Sequence, residues 1–83
     1  MKYPMTNSDK LLDRIVLEFP ENKREIRILF NKNIDFIEVC EDYFVCMDSI
    51  HELKKMGNIG DEKRINELEA LSIELREELL SMI

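Results

Sequence analysis

Apolar residues recur at alternating steps of three and four along two long stretches of the chain. Phe36, Val39, Tyr43, Cys46, Ile50 and Leu53 form the first series. Ile65, Leu68, Ser72, Leu75, Leu79 and Met82 form the second, with Ser72 its one polar member. Such a 3,4 repeat keeps one seam of a helix facing a partner helix. It predicts helices over 34–56 and 61–82. Asn33 and Asp61 stand at their starts as capping residues. Lys54 and Lys55 lie where the first helix ends, as its dipole favours, and Gly57 supplies a left-handed stop. The connection Gly57-Asn58-Ile59-Gly60 is short enough to send the chain back on itself. The two segments therefore predict a long antiparallel helical hairpin, coiled-coil-like, roughly 30–35 Å long at 1.5 Å per residue.

Two shorter helices precede it. Residues 1–7 read as a loose start, and Ser8 offers a cap with Asp9 in the first turn. Leu11, Leu12, Ile15, Val16 and Phe19 then recur at helical spacing over 8–19, and Arg14 stands four before Glu18 for a surface pair. Pro20 ends this helix and suits the first position of the next, over 20–31, whose apolar side is Ile26, Leu29 and Phe30. The fold class is all-α, a single domain of 83 residues with the hairpin preceded by one or two short helices.

Both hairpin helices carry more apolar surface than one partner covers. On the first, Ile37, Cys40, Phe44 and Met47 widen the apolar arc to on the order of 200°, beyond the ~100° of an ordinary surface helix. On the second, Leu71 widens the seam, while Ile73 and Leu80 lie off to the other side. The N-terminal helices, a second copy of the chain, or both must cover these flanks, because a large exposed apolar patch is unusual on a monomer. The expectation is a homo-oligomer, most simply two hairpins in a helical bundle. Ile37, Phe44, Met47, His51, Ile73 and Leu80 are the candidate interaction residues.

Charge narrows the partners. The net charge is −6, with 36% of residues charged. Residues 1–33 carry seven basic and five acidic side chains, and residues 34–83 carry five and thirteen. An acidic hairpin suits neither phosphate backbones nor anionic lipid, so no nucleic-acid or membrane partner is expected. A basic protein partner remains open. Met1-Lys2 runs straight into polar residues, and the longest apolar run, Phe44–Met47, is far short of a membrane span. A cytoplasmic protein with reduced thiols is the expectation.

The segments "EFPENKREI" and "NKNIDFIEVCEDY", then Ile50-His51, a short turn and the Leu-rich "RINELEALSIELREELLSMI", resemble the YdcH-like family of short bacterial proteins of unknown function. The resemblance runs from Glu18 to Ile83. It rests on Phe19-Pro20-Glu21, Ile26, Leu29, Asn33, Phe36, Val39, Tyr43 and Ile50, all caps and core positions. It implies a helical hairpin behind a short helix and no known activity. Residues 1–17, which add a predicted helix, and the acidic last helix depart from the family pattern.

The chemistry-bearing residues are few. Cys40 and Cys46 lie about 9 Å apart along one helix axis, too far for a mutual disulfide. They lack the paired spacing of a zinc site and read as small core residues. His51 falls on the apolar arc, three after Asp48. The Asp-x-x-His step is like the Glu-x-x-His of di-metal bundles, but one chain supplies a single histidine, and the inward carboxylates that Glu74, Glu77 or Glu78 would have to provide are not evident. The alternative reading is thus a metal-binding or redox protein using His51 with Asp48 and the thiols. Glu38, Glu41, Asp42, Asp48 and Glu52 form an acidic back, read as solvated or as a dock for a basic partner. Val45 is apolar within that back. No serine has a glycine-framed elbow, and no glycine-rich phosphate loop exists. No enzymatic activity and no cofactor are expected.

Overall fold

The structure, a computed structural model, describes the backbone of residues 7–83 and the side chains of residues 10–83. Of the expected loose start over 1–7, residues 1–6 lie outside the described residues, as does the Ser8 side chain. The backbone of Asn7 and Ser8 is already helical, so α1 begins one residue earlier than expected. Four α-helices follow in order: α1 (Asn7–Glu18), α2 (Lys23–Lys32), α3 (Ile34–Met56) and α4 (Glu62–Met82). The fold is all-α, and α3 packs along α4 as the expected antiparallel hairpin.

Local chemistry sets each boundary. Phe19 leaves the helical region at φ −129°, ψ 68°, one residue before the expected end of α1, because the ring of Pro20 crowds it. Pro20–Asn22 form a single 3₁₀ turn, closed by the Asn22 amide donating to the Phe19 carbonyl at 3.0 Å, so α2 proper begins later than residue 20. Asn33 is extended between α2 and α3, and its side-chain oxygen accepts from the Phe36 amide at 3.2 Å as the cap of α3. Gly57 ends α3 at φ 68°, a conformation an L side chain rarely adopts. Asp61 differs from expectation. It lies in a second 3₁₀ turn, Ile59–Asp61, at φ −92°, ψ −2°, and makes no side-chain cap bond to α4. Its amide is already turned back to the Asn58 carbonyl at 3.2 Å, which tightens the reversal.

The seam residues of α3 point inward, with Phe36, Tyr43, Cys46 and Ile50 buried and Val39 and Leu53 half-buried. The α4 series meets them, most deeply at Leu79. Ile15, Ile26, Phe36, Cys40 and Leu79 are the fully buried side chains, and between them they come from all four helices. The core is therefore where α1 and α2 dock on one half of the hairpin, with Phe30 standing edge-on to Phe36 at 6.5 Å. Toward the Gly57 turn the hairpin stands as two helices, and Met56 and Ile59 there are exposed.

Candidate functional site

Two stripes flank the α3 seam, and the helical repeat assigns their members. One carries Ile37, Cys40, Phe44, Met47 and His51. The other carries Glu38, Asp42, Val45, Ser49 and Glu52. On α4 the matching stripes are Glu69, Ile73, Arg76 and Leu80, and Arg64, Glu67, Leu71, Glu74 and Glu78.

α1 takes the first flank and crosses it obliquely. At one end the Arg14 guanidinium donates to both carboxylate oxygens of Asp48 at 3.0 Å and lies 4.2 Å over the Phe44 ring. At the other end Glu18 accepts from the Tyr43 hydroxyl at 3.2 Å and from Arg76 at 3.4 Å, while Arg76 lies 4.8 Å over Phe19. The Arg14–Glu18 surface pair expected from the i,i+4 spacing therefore does not form. Each side chain instead ties α1 to the hairpin, where a planar guanidinium finds a fork-shaped partner and an aromatic face together. Asp48 is likewise no free member of an acidic back. The hydrogen bonds from Arg14 hold its carboxyl below the usual carboxylate range and raise the Arg14 pKa in return.

These contacts redistribute the six candidate interaction residues. Phe44 is only 6% exposed, beneath Arg14 and beside Tyr43, so within this fold α1 is its cover and a charge placed there would strike the core. Ile37 is half-buried. Met47, His51, Ile73 and Leu80 face water.

The thiols do not converge with Asp48 and His51, which are neighbours one turn apart on α3. Cys40 is fully buried in the core, and burial pushes its thiol up to about 12. It stands eleven residue steps from the exposed His51, about 16 Å along the axis. Cys46 turns into the seam, donating to the Leu68 carbonyl at 3.0 Å, and burial raises its pKa as well. Among the described residues no three His, Cys, Asp or Glu side chains are grouped to hold a metal ion.

The second flank is an open groove. Hollows of about 330 and 440 Å³ adjoin along it, sharing Val45, Ser49 and Arg64. Leu68, Leu71 and Leu75 line the α4 side, with Cys46 at the floor. Val45, apolar within the acidic back, is 66% exposed and faces this groove across from Leu71, 43% exposed. The lone apolar residue in an otherwise polar, mostly acidic stripe was the sequence signal for the groove. That it has a counterpart on α4 depends on the register of the hairpin.

No family model, curated protein or solved structure matches the chain.

Proposed function

We propose that the chain is a helical protein-interaction module that acts without chemistry of its own and associates with further copies of itself. The observation that carries this reading is the apolar surface left in water once α1 and α2 are docked. On the α1 side, Ile73 is 58% and Leu80 45% exposed, and Met47 also reaches solvent. α1 crosses from the outer edge of α3 to Arg76 of α4 and leaves these positions bare. A second hairpin laid against them gives a helical bundle and removes that surface from water at roughly 25 cal/mol per Å². His51 lies on the same stripe and would sit at the edge of the contact.

Other features support the same reading. Cys40 and Cys46 are free and buried, which fits the reducing cytoplasm. Among the described residues no helix is long and apolar enough to cross a membrane. The likeness to the YdcH-like proteins points the same way, toward a hairpin of caps and core positions. Light scattering at about 100 μM tests the proposal. The wild-type mass should exceed that of one chain and fall to it in Met47→Glu/Ile73→Glu with helicity retained. A wild-type chain that weighs as a monomer throughout would refute self-association.

A further inference from the structure

We infer that the open groove between α3 and α4 is a docking site for an amphipathic helix of a partner protein, one with an apolar stripe flanked by Lys and Arg. This shares with the self-association reading only that the hairpin binds helices, and it uses the opposite flank.

Three observations carry it. The first is size. The lining runs on α3 from Asp42 to Leu53 and on α4 from Arg64 to Leu75, eleven residue steps on each. At 1.5 Å per residue that is about 17 Å, or three turns, enough for anchors at i, i+3 or i+4, and i+7. The second is chemistry of the floor. Val45, Leu68, Leu71 and Leu75 are apolar, and the Cys46 thiol is already satisfied by the Leu68 carbonyl. Ser49 also turns its hydroxyl back to the Val45 carbonyl at 2.8 Å, so it presents little that an apolar anchor would leave unpaired.

The third is charge. The stripes that edge the groove carry Glu38, Asp42 and Glu52 on α3 and Glu67, Glu74 and Glu78 on α4, all exposed. Arg64 is the one basic side chain among the lining residues, at the end nearest the turn. That position matches the negative C-terminal end of a docked helix. Two acidic edges select the occupant. A second copy laid groove to groove would bring like charges together, whereas basic flanks on a partner helix would meet carboxylates on both sides. The outer face of α2, which carries Arg24, Arg27 and Lys32, offers Ile28 as its sole exposed large apolar residue, too few for a three-turn stripe.

The probe is a synthetic helical peptide of about 14 residues with Leu at i, i+3, i+7 and i+10 and Lys on both flanks, long enough to fill the groove. Its control carries Glu in place of Lys. Titrated into the full chain, the Lys peptide should shift the amide resonances of Val45, Ser49, Leu68 and Leu71 and bind with affinity that falls with salt. Leu71→Glu should weaken it about tenfold or more, as loss of a central anchor does. Asp42→Lys/Glu74→Lys should weaken it without touching the floor, which keeps the test open should the first variant disturb packing. Neither should change the oligomeric mass, and Met47→Glu/Ile73→Glu should leave the peptide affinity unaltered. Equal binding of the Glu peptide, shifts centred on Met47 and Ile73, or a drop to monomer mass in Leu71→Glu would each overturn the assignment.

Discussion

The two flanks of the hairpin begin from the same geometry and end differently. Each is a pair of helical stripes bordering one seam. The flank of Cys40 and Phe44 is apolar on α3, and α1 and α2 fold over that part of it, leaving Met47 in water. The flank of Val45 and Leu71 has one exposed large apolar residue on each helix among carboxylates, and it stays open. The difference shows what a short helix needs in order to dock. α1 and the residue that follows it bury Ile15 and Phe19 and add two arginine clamps, one from each side of the contact. On the acidic flank its Glu18 would meet like charge and its apolar side would find only Val45 and Leu71.

The contrast is sharpest between neighbours in sequence. Phe44→Ala should cost about 3–5 kcal/mol, because it opens a cavity under α1. Val45→Ala, one residue on, should stay within about 0.5 kcal/mol of wild type in the same urea titration, since its side chain stands mostly in water. Similar costs at the two positions would mean that the flanks are not covered as described.

A smaller effect belongs to the clamp. Arg14→Ala removes a forked ion pair and a guanidinium stacked on Phe44. Both partners are near half exposed, so the loss should be about 1 kcal/mol and should speed amide exchange in α1 before α4. Uniform acceleration over the whole chain would show instead that α1 does not open separately.

The smallest effect is the pH dependence of that clamp. Asp48 has a lowered pKa in the folded state because Arg14 donates to it. Its contribution is therefore fully present above the ordinary carboxylate value near 3.9 and is lost as the pH falls through the lowered one. The stability gap between wild type and Arg14→Ala should hold steady from pH 7 to 5. It should then narrow by some tenths of a kcal/mol toward pH 2, as expected for an exposed pair. A gap that widens in acid would assign the arginine another partner.

Much of this fold was legible locally. The 3,4 spacing marked both hairpin helices, Asn33 and Gly57 marked the bounds of α3, and Pro20 marked the break after α1. Each of these works through near neighbours: a capping oxygen three residues away, a left-handed φ, a proline ring against the residue before it. Asp61 shows the limit. Its type and place suited a cap, yet a 3₁₀ turn took that stretch of backbone first, and the tightness of a reversal depends on where the returning helix must land.

The candidate surfaces were legible only in part. The sequence by itself determined that each hairpin helix carries surplus apolar residues and that Val45 is out of place among acids, because helical periodicity alone sorts side chains by face. The tertiary structure decided which surplus is used internally. Arg14 could reach Glu18 on its own helix, and local spacing favours that pair. Asp48 and the face of Phe44, thirty or more residues away, offer a forked acceptor and a ring at once. Asp48 and Phe44 are neighbours one turn apart on α3, but Arg14 reaches them only once α1 has docked on the hairpin, and the same docking that hides Phe44 leaves the Val45–Leu71 groove open.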